Sequence, residues 1–188
     1  MPRERIQNDA YYTPQPVADA CVRVLQHTLP PNARVLEPHA GGGAFVRALR
    51  SVRPDVQVSL LDKNPDAPAF DLAREHGLPH LPADFLSTSP SDIDWIVGNP
   101  PYADALAHVE HALRHTLTGV GFLLRLAFLE GSARRPFFSR YPPCDVHVLV
   151  NRPSFAFGKT DSAAYAFFVW RVRTVSAPRI HWLNWRRT

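Results

Sequence analysis

Asn99-Pro100-Pro101-Tyr102 is the segment whose residue types can do chemistry together. The apolar run Asp94–Val97 precedes it, so these residues fall where a buried strand ends, the edge at which open α/β sheets bind ligands. Consecutive prolines fix φ and push Pro100 into an extended conformation, which holds its carbonyl in a set direction. Asn99 adds a neutral side-chain oxygen acceptor. Two fixed acceptors can take both hydrogens of an –NH₂ group, and Tyr102 offers a flat ring on which a base can stack. An aromatic or amide nitrogen is a poor nucleophile because its lone pair is conjugated. Acceptors that draw its hydrogens away favour a pyramidal nitrogen and stabilise the positive charge that develops during attack. No carboxylate base is needed at that step.

A second constellation lies upstream, in Val35-Leu36-Glu37-Pro38-His39-Ala40-Gly41-Gly42-Gly43-Ala44-Phe45. An apolar strand runs into a glycine cluster and then a helix, so backbone can approach a ligand where side chains would block it. Twenty-five residues after Glu37, the next strand ends on Asp62, an acid placed to accept both hydroxyls of a ribose. The pairing points to a nucleoside-containing cofactor without saying which. The full GxGxxG fingerprint and the GxxxxGK[ST] loop are both missing, which speaks against NAD and ATP.

The elements that must position these groups alternate. A helix opened by Thr13 and Pro14 is predicted through about Leu29, stopped by Pro30-Pro31. Strands are expected at Arg34–Glu37, Val56–Leu61, Leu78–Ala83, Asp94–Val97 and Val120–Leu126, with helices at Ala44–Ser51, Ala69–His76 and Asp104–Leu117. Val146–Val150 and Tyr165–Val172 read as a terminal antiparallel pair, and Ile180–Trp185 as a further edge strand. This pattern predicts an α/β sheet with helices on both faces.

Composition sets the bounds. The 188 residues are 20% charged and 45% hydrophobic, which fits one folded domain over 1–188 and excludes wholesale disorder. Apolar runs fall short of a bilayer span, and the N-terminus lacks a secretory signal core, so a cytoplasmic location is expected. The net charge is +4, the pI about 9.4, and Lys63 and Lys159 are the sole lysines. Arginine's planar fork suits phosphate, so the balance points weakly toward nucleic acid. Cys21 and Cys144 form no framework and read as small buried hydrophobes. His108, His111 and His115 share one face of a helix whose opposite face carries Leu106, Val109, Leu113 and Leu117. The histidines are therefore expected to face solvent, and no metal site is predicted. Trp95 and Trp170 read as core. Arg47, Arg50 and Arg53 read as a solvated helix end, whereas Arg134, Arg135 and Arg140 are candidates for phosphate contact.

Together these motifs resemble the S-adenosylmethionine-dependent adenine-N6 DNA methyltransferases of the NPPY type, compact phage and prophage members in particular. The likeness covers most of the chain. Tyr11-Tyr12-Thr13-Pro14 resembles that family's N-terminal cofactor motif, and Ala83-Asp84-Phe85-Leu86 the segment that holds the cofactor's adenine. The segments 129–134 and 151–162 resemble the compact members' distal motifs, and Tyr165–Trp170 completes the pattern. The resemblance implies a Rossmann-like class I methyltransferase fold, a mostly parallel seven-stranded sheet with a terminal antiparallel hairpin.

The same resemblance implies the roles. Tyr12, Thr13, Glu37, the loop Ala40–Gly42, Asp62, Asp84, Phe85 and Asn99 would bind S-adenosylmethionine. Asn99, Pro100, Pro101 and Tyr102 would form the catalytic segment, with Phe155 as the opposing aromatic wall and Arg134, Arg152 and Lys159 gripping DNA. A duplex hides the adenine amine in the stack, so the base would have to be flipped out. His39 departs from the pattern, since the family usually has a small or hydroxyl residue there. The alternatives within this chemistry are an RNA adenine or a release-factor glutamine as acceptor; outside it, a catalytically idle nucleic-acid-binding module. No separate target-recognition domain is expected, which leaves sequence reading to the loops 134–143 and 151–164.

Overall fold

A computed structural model of the chain describes residues 12–155, 162–172, 174 and 177–186. Tyr11 and Lys159, both named above, lie outside the described residues.

Five strands form the parallel part of the sheet: β1 (Arg34–Glu37), β2 (Gln57–Asp62), β3 (His80–Pro82), β4 (Trp95–Gly98) and β5 (Gly119–Arg125). After β5 the chain makes β6 (Asp145–Leu149), β7 (Tyr165–Arg171) and β8 (Arg179–Leu183). The order is β3-β2-β1-β4-β5-β7-β6-β8. β7 runs antiparallel to both β5 and β6, as expected for the terminal hairpin. The tail strand β8 joins the seven others as an eighth, pairing parallel with β6. Chain order reverses direction across the sheet between β1 and β4, which opens a crevice beyond their carboxyl ends.

Helices α1 (Gln15–Leu25), α2 (Ala44–Val52) and α3 (Ala69–Glu75) bury their apolar stripes on one face of the sheet. Helix α4 (Ala105–His115) and the short α5 (Arg135–Arg140) cover the other, over a core containing Phe122, Phe168 and Trp170. Trp95 and Trp170 are both buried, as is each cysteine. No helix among the described residues is long and apolar enough to cross a membrane.

Three expectations need correction. The first helix ends at Leu25 rather than Leu29, because the chain turns tightly ahead of Pro30-Pro31. Arg53 is not a solvated helix end. Its guanidinium donates to the carbonyls of Gln26, Leu29 and Pro30 and pairs with Asp55 at 2.6 Å, tying the exit of α1 to the start of β2.

The third correction concerns α4. His108 and His111 are buried and Leu117 is 56% exposed, so the histidine face packs inward. The cause is Phe85, whose ring stacks with His108 at 6.0 Å and meets His111 edge-on at 4.6 Å.

Asp145, His147 and His181 gather on one face of the β6–β8 pair. Arg179 occupies the Asp145 carboxylate, with Nε donating to Oδ1 at 2.8 Å and Nη2 to Oδ2 at 3.2 Å. This ion pair staples the edge strand to the sheet.

β5 threads between neighbours too close for a side chain. A Cβ on Gly119 would stand 2.6 Å from both the Trp170 carbonyl oxygen and the Trp95 ring. Gly119→Ala is therefore expected to lower stability by about 1–3 kcal/mol, the usual cost of overpacking, read as a lower urea midpoint. An unchanged midpoint would show that β4 and β7 move apart freely.

Candidate functional site

A cavity of about 710 Å³ opens at the carboxyl ends of β1, β2 and β4, where the crevice was expected. Asp62, Asp84, Phe85, Asn99, Pro100, Pro101 and Tyr102 all line it. A small adjoining pocket is lined by Tyr12, Thr13, Glu37, Ala40, Gly41, Gly42 and Asn99. The two motifs, 62 residues apart from Glu37 to Asn99 in the chain, thus meet in one place because β1 and β4 are neighbours.

The glycine loop is shaped by its surroundings. Gly41 has φ +48° and Gly43 +79°, and a Cβ on Gly41 would press on the Tyr12 ring at 3.2 Å. Asp62 holds this loop by accepting the Gly41 N–H at 2.7 Å and the Asn64 N–H at 2.8 Å. Its carboxylate is thereby fixed in orientation, with lone pairs left for a diol. Asp84 accepts the Leu86 N–H at 2.9 Å and starts a short 3-10 turn. Phe85 itself is 2% exposed and packs beneath the cavity, so Leu86 is the apolar side chain that stands open there.

Glu37 is the most constrained group. It is 1% exposed, with one long contact, 3.4 Å, from the His39 N–H. Burial pushes its carboxyl well above the ordinary range, and Asp62 adds to that, while the His39 N–H opposes it. A Cβ at Gly98 would collide with this carboxyl group, so a side chain just before Asn99 would oblige Glu37 to move. Gly98 was not read as functional in the sequence, where it looks like any strand-end glycine.

Asn99 has a divided side chain. Its Nδ2 donates to Thr13 Oγ1 at 3.1 Å, while Oδ1 is buried with no hydrogen-bond partner. A buried acceptor of this kind carries a penalty until a donor arrives. Tyr102 forms an aromatic cluster with Phe155 at 6.3 Å and Tyr165 at 5.5 Å. The Arg125 guanidinium lies 5.2 Å over the Tyr102 ring, a neighbour not anticipated from the sequence.

The predicted DNA contacts separate. Arg134 donates to the carbonyls of Ala127, Phe128 and Glu130 at 2.7–2.9 Å and lies over the Phe128 ring, so it locks its own loop. Arg152 is exposed and does not line the cavity.

No family model matches the chain. Among curated proteins, it is 29% identical over 168 residues to a release factor glutamine methyltransferase of Salmonella typhimurium, covering 71% of this chain. A Shewanella oneidensis protein of the same name is 38% identical over 106 residues, covering 53% of this chain. The chain spans 61% and 37% of the lengths of those two relatives. Among solved structures, a type I restriction-modification methyltransferase subunit from Streptococcus thermophilus superposes with a TM-score of 0.68 at 20% identity. That match covers 87% of this chain and 45% of the other. The 23S rRNA methyltransferase ErmE gives 0.59 at 21% identity over 90% of this chain and 69% of its own. The fold is that of the class I methyltransferases. The expected Rossmann-like architecture is therefore present.

Glu37 yields a sign that can be tested. Burial raises its folded pKa above the unfolded value, so its stabilising contribution is full below the unfolded pKa. That contribution is lost as pH rises through the folded one. Glu37→Gln is expected to stabilise the unliganded protein at pH 8 by about 1 kcal/mol or more while changing little at pH 4, measured by urea unfolding. The same difference at both pH values would contradict it.

Proposed function

We propose that this chain transfers a methyl group from S-adenosylmethionine to the exocyclic N6 amine of adenine in DNA. The observation that carries the reading is the buried, unpartnered Asn99 Oδ1, with Pro100 next to it on the cavity lining. A planar –NH₂ group supplies the two donors that this pair of acceptors needs.

The residues present fit the cofactor. The buried Glu37 carboxylate needs a cation, and the ammonium of the methionine moiety would supply one. Asp62 would take the ribose hydroxyls, with Asp84 and Leu86 at the adenine. When bound, the cofactor offers an electrophilic methyl on a sulfonium centre. Thr13 holds the Asn99 amide so that Oδ1, not Nδ2, faces the acceptor amine. Asn99 and Pro100 would draw the amine hydrogens, freeing the nitrogen lone pair, and they stabilise positive charge as it grows there. Tyr102 would stack on the base, and Phe155 backs the Tyr102 ring.

DNA is favoured by the aromatic cluster, which suits a planar ring, and by the net charge of +4. Likeness to a restriction-modification methylation subunit supports the same substrate. The second reading is a protein glutamine amide, supported by the two curated relatives named release factor glutamine methyltransferase. Both acceptors present a planar amine, so Asn99 and Pro100 would serve either. An RNA adenine is a third acceptor that the same site would take.

Asn99→Ala is expected to lower turnover roughly 10²–10³-fold, as for other lost transition-state hydrogen bonds. The check is label transfer from S-adenosylmethionine into separate DNA, RNA and protein pools. Label in the DNA pool from the native chain, lost in the variant, is the expected result. Transfer to protein alone would replace adenine with glutamine, and undiminished transfer by the variant would remove the mechanism.

A further inference from the structure

β8 is the last strand of the sheet and pairs with β6. The register puts Asp145 opposite Arg179 and His147 opposite His181, and alternation along each strand turns all four side chains to one face. His181 Nε2 lies 3.0 Å from Asp145 Oδ1. The two imidazoles stack with centroids 4.5 Å apart and planes 13° from parallel. One ligand atom from each of Asp145, His147 and His181 falls within 4.8 Å of the other two. None of the three lines the cavity at the strand ends or the pocket beside it.

We propose that Asp145, His147 and His181 form a site for a divalent transition-metal ion, zinc by its donor set, that clips β8 to β6. Two imidazoles and one carboxylate are donors that zinc takes at about 2.0–2.2 Å, and a tetrahedral ion spaces such donors about 3.3 Å apart. The Nε2–Oδ1 separation of 3.0 Å is already close to that spacing. Ring rotation can close the rest, because His147 is half-buried and the His181 side chain is 42% exposed. Three protein donors leave a fourth position for water.

Arg179 is the competitor for this position. Asp145 is 5% exposed, so its carboxylate requires a counter-charge, and Arg179 supplies one through hydrogen bonds of 2.8 Å and 3.2 Å. The Arg179 side chain is itself 65% exposed, so its guanidinium can swing into solvent and be hydrated there. A dication held by two imidazoles then takes its place with twice the charge. The proton that His181 Nε2 shares with Asp145 moves to Nδ1 as the metal takes the nitrogen's lone pair. The clip would reach further than the strand pair. Leu183 accepts the Val150 N–H at 3.1 Å and Trp185 Nε1 donates to the Asn151 carbonyl at 2.7 Å, so β8 also steadies the start of the segment that leads to Phe155.

The test is calorimetric titration of the whole chain, free of any polyhistidine tag, with zinc chloride near neutral pH, and with cobalt(II) as a spectroscopic probe. The native chain is expected to take up one zinc ion, and cobalt bound at the same site to show the visible absorption of a tetrahedral ion. His147→Gln and His181→Gln should each weaken zinc binding at least roughly tenfold, since even partners of metal ligands matter to that extent. Arg179→Gln removes the competing cation and should strengthen binding roughly tenfold. No uptake by the native chain up to millimolar zinc, or an affinity that either histidine variant or Arg179→Gln leaves unchanged, would overturn the site. If a variant fails to fold, the native cobalt spectrum decides: a tetrahedral spectrum abolished by zinc supports the site, and the spectrum of the aqueous ion overturns it.

Discussion

A carboxylate removed from water must find a cation or several donors, and Glu37 has neither within the protein. Its position constrains the site around it. The carboxyl group fills the space that a side chain at Gly98 would need, so the ends of β1 and β4 fit together through the acid and a missing Cβ. β4 ends at Gly98. Asn99 and the two prolines then emerge beside the glycine loop rather than elsewhere on the sheet edge. The buried acid thus stands where the glycine loop and the Asn99 segment meet.

The rest of the cavity is arranged around that contact by groups that fix one another's orientation. Asp62 spends one lone pair on each of two backbone amides and keeps the loop in place. Thr13 accepts from the Asn99 amide and so decides which end of that side chain is free. On the far side, Phe85 packs against His108 and His111 of α4 and against the loop histidine His39. In such surroundings single hydrogen bonds count for more than they would in water. The site combines rigid strand ends with few polar atoms, most of them already committed to holding position.

Much of this was legible in the sequence because strand-end motifs carry their own geometry. Consecutive prolines after a buried strand, and glycines between a strand and a helix, dictate local backbone wherever they occur. The alternation of strands and helices placed both motifs on one sheet edge before any contact was known. Less visible was anything decided by a partner distant in sequence. The histidines of α4 looked like a solvated face because Leu106, Val109, Leu113 and Leu117 lie opposite them, yet Phe85 and His39 draw them inward. Arg53 looked like a solvated helix end and Arg134 available for phosphate, yet each closes on carbonyls whose positions depend on tertiary folding. Gly98 looked ordinary until the Glu37 carboxylate was seen beside it.

The central claim is geometric: Asn99 Oδ1 and the Pro100 carbonyl receive the two hydrogens of one amine. A crystal structure of the protein with S-adenosylhomocysteine and an oligonucleotide bearing an unpaired adenine tests it most directly. The account predicts the adenine N6 within about 3.2 Å of both oxygens, its ring against Tyr102. An adenine bound with N6 away from both oxygens, and Asn99 Oδ1 taken by another group, would contradict it.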